Sequence, residues 1–179
     1  MTFDEVAKER RSVRAYKADE KVSKEMVEEL IKAAQLAPTW KNSQTGRYYV
    51  VMSEEKLTKV KQECLPEFNR NNCADAPVLI VTTFVKNRAG FNREGVADNE
   101  LGNMWGAYDL GLQNENLLLK AKDLGLDTLV MGIRDGEKLR EVLNIPAEQE
   151  VVAVISVGYR NQNPDMPKRK ALEDISVFC

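Results

Sequence analysis

The chain has 179 residues, of which 43 % are hydrophobic and 30 % charged, and a formal net charge of -2. This suits one domain over residues 1–179, and it excludes a dedicated nucleic-acid binder, which needs a basic field to drive counterion release. No apolar run approaches the ~20 residues that span a bilayer, and MTFDEVAKER lacks the apolar stretch of a signal peptide, so the expected location is the cytoplasm.

Thr2 and Glu5 form a capping-box pattern, predicting a short helix to about Glu9 that leads into RRSVRAY at 10–16. If that segment is extended, Arg10, Ser12 and Arg14 share a face. Two guanidinium forks and a hydroxyl are equipment for a phosphate; a solvated strand end is the alternative. Ser23 starts a second helix, with Val22 and Val27 as a staple and Pro38 as its stop. The polar stretch Thr39 to Gly46 follows as a loop.

RYYVVM (47–52) reads as a strand, and Ser53 caps a helix to about Lys61. APVLIVTTFV (76–85) reads as a buried strand, and 86–98 as a mobile loop over a site. A long central helix is expected from about Asn99 to Leu124, with an apolar spine of Leu101, Trp105, Tyr108, Leu112 and Leu119 that Leu117 and Leu118 extend, and with nearly all-round burial of its second half. Trp105 and Tyr108 are thus read as core residues rather than stacking platforms. LDTLVMGI (126–133) and EVVAVISVGY (150–159) read as strands, with a short helix at 136–143 between them. The last 20 residues read as irregular and then extended. The class is α/β or α+β in one layered domain.

The sequence holds no histidine, which excludes His-based triads and His metal sites and points to a bound cofactor as the source of any chemistry. The cysteines, Cys64, Cys73 and Cys179, are odd in number with no metal-like spacing, and are expected as free thiols. Neither a P-loop nor a G-x-G-x-x-G fingerprint is present, so side chains would have to grip a phosphate. Two basic clusters, RRSVR and PKRK (167–170), stand at opposite ends of a nearly neutral chain. The loop 38–44 offers a row of donors and acceptors plus Trp40, suited either to the polar edge of a heteroaromatic ring or to a plain helix-to-strand connection. Gly132 marks either a ligand's approach to the backbone or a β-bulge.

ERRSVRAY, APTWKNSQ, LGLDTLVMGI and the PKRK tail, in this order, resemble the nitroreductase family of FMN-dependent oxidoreductases. The resemblance covers about Lys8 to Asp174. It implies an α+β fold with a central mixed sheet around a long helix, and a homodimer with an exchanged C-terminal segment and FMN at the interface. It implies hydride transfer from NADH or NADPH to nitroaromatic, quinone or similar acceptors by a ping-pong mechanism. A carrier or sensor of FMN, or a specialised flavin enzyme of the same fold, would share these motifs.

Matched position by position, Arg10, Ser12 and Arg14 correspond to phosphate and ribityl contacts, with Arg11 beside them. Arg169 would complete the clamp with Lys168, or with Lys170 after a one-residue shift. Pro38, Thr39, Trp40 and Asn42 match the loop that reaches the flavin from the other subunit. Asn69 matches a contact to the pyrimidine edge, and Met131 and Gly132 the strand end beside the ring. Asn72 falls where some members carry a lysine, which Lys41 would replace as a cation; Trp40 falls where some carry a small residue.

Overall fold

The computed structural model describes residues 1–179. Its sheet has four strands, β1 (Gly46–Val51), β2 (Val78–Val85), β3 (Asp127–Met131) and β4 (Gln149–Gly158), in the order β1-β2-β4-β3. β2 explains the layering. Leu79 and Val81 enter one apolar cluster, whereas Val78 and Ile80 enter another, so the strand is buried on both faces and reads as an unbroken apolar run. α2 (Lys24–Gln35) and α5 (Met104–Asp123) cover one face. The other is covered by α6 (Gly136–Leu143) and by α3 (Glu54–Lys59) with the π-helical turn Val60–Cys64 that continues it. α1 (Phe3–Glu9) precedes these layers, and α4 (Glu67–Asn72) lies between the π-turn and β2.

The fold is α+β, as expected, but the sheet is not mixed in its strands: every strand pair is antiparallel. Parallel pairing is confined to the isolated bridge between Ser12 and Thr128 at the β3 edge. The capping box on α1 and the Ser23 cap on α2 form as the sequence dictates, Ser23 Oγ accepting from Met26 N at 3.2 Å. α6 has the predicted bounds.

Three expectations fail for identifiable reasons. α5 starts at Met104 rather than Asn99, because Gly102 at φ 45° turns the chain just before it. Its buried face is Gly106, Asp109, Leu110, Gln113, Asn114, Leu117, Leu118 and Ala121, so Leu117 and Leu118 are buried. In the predicted spine, by contrast, Trp105, Leu112 and Leu119 are half-buried and Leu101 and Tyr108 exposed, Tyr108 by 60 %. Gly106 allows the close approach: a Cβ there would lie 2.3 Å from the Phe84 ring. The tail forms a short 3-10 turn at Leu172–Asp174 instead of an extended segment.

Candidate functional site

The helix α1 ends at Arg10, whose N–H caps it by donating to Val6 O at 2.9 Å. The chain then runs along the β3 edge, with Val13 fully buried and its N–H donating to Thr128 O at 3.0 Å. Alternation about Val13 leaves Ser12 and Arg14 on the exposed side, and Arg14 Nη1 folds back onto Ser12 O at 3.2 Å. Arg10 departs from the shared face, its Nε lying 3.9 Å from Glu115 on α5. Arg11 turns back to the carbonyls of Lys8 and Arg10, and its Nε is buried without a partner.

At the far end of β3, about 13 Å along the strand from Thr128 at ~3.3 Å per residue, the chain opens. Met131 is 2 % exposed, with its side chain in the core, so only its backbone faces outward. A Cβ on Gly132 would meet no atom within 4 Å, and the strand pairing is regular to Met131. The bulge in this sheet is instead at Thr82/Thr83. Asn69, 5 % exposed on α4, donates from Nδ2 to Ile133 O at 2.8 Å and pins this strand end. Asn72, at the end of the same helix, is half-buried and makes no side-chain hydrogen bond.

The loop after α2 is the most constrained part of the molecule. Lys41, Asn42 and Gln44 have φ of 45°, 55° and 48°, a left-handed region that non-glycine residues enter rarely. Two contacts hold it there. Trp40 N–H donates to Asp109 Oδ2 at 2.8 Å, and Gln44 N–H to Thr39 Oγ1 at 3.2 Å. Asp109 is 3 % exposed, and burial raises its carboxyl above the usual carboxylate value, an effect that the Trp40 N–H opposes. Trp40 packs on Trp105 with ring centroids 4.5 Å apart, and Trp105 on Tyr108 at 5.6 Å. Trp105 and Tyr108 therefore form an aromatic ladder under the loop, not a core. Trp40 Nε1, Ser43 Oγ and Thr45 Oγ1 are buried without partners, three of the six such atoms in the molecule. Pro38 is exposed at the loop's entrance. Lys41 points away to Asp98, its Nζ 2.7 Å from Oδ2, and lies 5.5 Å from the Trp40 ring centroid.

Lys168, Arg169 and Lys170 are exposed, and Arg169 reaches only Pro167 O, at 3.3 Å. No hydrogen bond or ion pair joins them to residues 10–14, so one protomer alone does not bring the two basic clusters together. Beyond them Leu172, Ile175, Val177 and Phe178 are 60–87 % exposed. The segment 86–98 is internally tied, with Phe91 bridged to Ala97 and Asp98 N–H donating to Gly90 O at 2.8 Å. Cys64 and Cys73 are buried, which pushes both thiols up to about 11 and leaves them poor nucleophiles. No helix is long and apolar enough to cross a membrane. The sequence reading missed Asp109; its signal was a lone carboxylate amid the otherwise uncharged stretch 101–114.

The model of the nitroreductase family matches residues 7–159. An Archaeoglobus fulgidus protein, provisionally named NADH dehydrogenase/NAD(P)H nitroreductase, is 31 % identical over 169 residues, covering 87 % of this chain and 84 % of its own. A nitroreductase family protein from Clostridium difficile 630 superposes with a TM-score of 0.80 at 27 % identity, over 99 % of this chain and 98 % of that one. A provisionally named nitroreductase from Exiguobacterium sibiricum 255-15, solved in complex with FMN, superposes at 0.83 with 24 % identity, over 100 % of this chain and 98 % of that one.

Proposed function

Because the chain belongs to the nitroreductase family, we propose that it is an FMN-dependent NAD(P)H oxidoreductase acting on nitroaromatic, quinone or similar acceptors. The observation that carries this reading is the run of β3 from Ser12 and Arg14 at one end to the open backbone at Gly132 at the other. It supports reading one edge of the molecule as an anion-binding cluster followed by an unobstructed platform for a flat ring. The residues fit the cofactor: Arg11 Nε and three polar atoms of the loop 40–45 are buried without partners, and a Cβ at Gly132 would fill the platform. Bound FMN would supply the hydride chemistry, taking from NAD(P)H and giving to the acceptor in a ping-pong sequence.

The protein's part is to bind and orient. Arg10, Arg11, Ser12 and Arg14 would hold the phosphate, joined by Arg169 and either Lys168 or Lys170 of a second copy. Asn69 and Asn72 would flank the ring's polar edge, and the backbone of Met131 and Gly132 would face it. Pro38, Thr39, Trp40 and Asn42 would come from the second copy and wall off water. A homodimer is supported by what one chain leaves outside: Met104 and Tyr108 on the first turns of α5, and the apolar tail. The free edge of β1 is lined by an apolar groove of about 760 Å³, a place for such a tail. The proposed compartment is the cytoplasm, where the three free thiols stay reduced.

Two measurements test this. Acid release followed by chromatography identifies the chromophore: FMN is expected, and FAD or no flavin after reconstitution contradicts the proposal. Initial rates at several acceptor concentrations should give parallel double-reciprocal lines. Intersecting lines would mean that both reactants bind together, and no NAD(P)H oxidation with any quinone or nitroaromatic would remove the enzymatic reading.

A further inference from the structure

Between the loop at 38–44 and the segment 86–98 lies a cavity of about 790 Å³, in which only Trp40 and Phe91 are apolar. Its outer wall is preformed. Asn92 Oδ1 accepts from Glu94 N at 3.1 Å and Val96 N at 2.8 Å, and Asn103 Oδ1 accepts from Asn87 N at 2.7 Å. The Lys41–Asp98 ion pair at 2.7 Å ties this wall to the loop carrying Trp40.

The charges on the lining are Lys41, Arg88, Arg93 and Glu94. Lys41 is neutralised by Asp98, while Arg88, Arg93 and Glu94 have no ion-pair partner within 4.0 Å. The cavity therefore presents two free guanidiniums against one free carboxylate, in a chain whose net charge is -2. A guanidinium fork matches the oxygens of phosphate and carboxylate groups.

We propose that Arg88 and Arg93 make this cavity a subsite for an anionic substituent, a phosphate or a carboxylate, carried by a reactant of the adjacent redox site. The inference rests on the proposed function, which sets the loop 38–42 beside the flavin. Two sources share this chemistry: the 2'-phosphate that distinguishes NADPH from NADH, and the carboxylate of an acidic acceptor.

Equilibrium titration of the full-length protein as isolated separates them. One arm compares adenosine 2',5'-bisphosphate with adenosine 5'-monophosphate, and the other 4-nitrobenzoate with nitrobenzene. In one arm the member with the additional anionic group should bind about fivefold or more tightly than its counterpart, with a preference that weakens as salt rises. The doubly substituted Arg88→Gln/Arg93→Gln protein, altered only at exposed positions, should lose that preference. Preference in the nucleotide arm assigns the subsite to the reductant, and preference in the other assigns it to the acceptor. Absence of preference in both arms, or a preference that survives the double substitution, overturns the proposal. Binding is read without turnover. A charge preference in a protein that oxidises no NAD(P)H would sink only the proposed function, and an active flavoenzyme without the preference only this inference.

Discussion

The two faces of α5 depart from a simple apolar-in, polar-out division. The inner face carries Asp109, Gln113 and Asn114 among its buried residues, while the outer face exposes Met104 by 58 % and Tyr108 by 60 %. Each inner polar side chain makes at least one hydrogen bond, although Asn114 Oδ1 is buried without a partner. Asp109 holds the Trp40 loop, Gln113 Oε1 receives Tyr48 Oη at 3.4 Å, and Asn114 Nδ2 donates to Thr82 Oγ1 at 3.4 Å. The outer apolar residues are left to solvent by their own chain. The buried Asp109 fixes the Trp40 loop, whereas the exposed Met104 and Tyr108 are where self-association can be tested.

The sharpest way to break this comparison is to remove residues 165–179, which takes away Arg169 and the exposed apolar tail together. The expected outcome is loss of both dimer and flavin, read by sedimentation and absorbance; a truncated protein that retains both would show the tail to be idle. Substitutions on the two faces should then differ in kind. Leu117→Ala, at a fully buried position, should cost the fold about 2–5 kcal/mol in denaturant titrations. Tyr108→Ser should leave a protomer of nearly unchanged stability, within about 0.5 kcal/mol, but weaken self-association. Equal losses of fold stability from both would erase the distinction.

Away from α5, Arg14→Ala should weaken flavin retention roughly tenfold or more, the equivalent of about 1.5–3 kcal/mol for a charge-assisted contact. An unchanged dissociation constant would leave Arg14 a surface charge. The smallest effect is expected at Asp109→Asn, which keeps an acceptor for Trp40 N–H and removes a buried charge. The folded-state pKa of Asp109 is raised, so wild-type stability falls as pH climbs from the ordinary aspartate range through the raised value. Thermal melts should therefore show a small gain for the Asp109→Asn protein at neutral pH, fading once the pH drops below the ordinary aspartate range. A loss at neutral pH would mean that the charge itself holds the loop.

The elements legible in the sequence were those whose signals are local. The Thr2/Glu5 capping box, the Ser23 cap and the Asp135-capped helix α6 all form where the residues place them. The alternation that left Ser12 and Arg14 exposed around Val13 was also readable. The phase of α5 was legible only in part, because apolar residues occur at helical spacing on both of its faces: Leu117 and Leu118 are buried, whereas Tyr108 is exposed. α4 escaped notice since Glu67–Asn72 buries one residue, the polar Asn69. The Trp40 loop was legible as a polar loop, but its left-handed backbone at Lys41, Asn42 and Gln44 depends on Asp109, 69 positions from Trp40 in the chain. The two basic clusters do not meet within one chain, Arg169 reaching only Pro167 O, so no single-chain reading tests whether they converge.

The central claim is that two copies complete one flavin site between them. Sedimentation of the full-length protein, followed through flavin absorbance, tests it most directly. The account predicts that the yellow species has about twice the 20.2 kDa mass of the chain, with no flavin on the monomer. A flavin-loaded monomer, or a dimer that takes up no flavin, would contradict it.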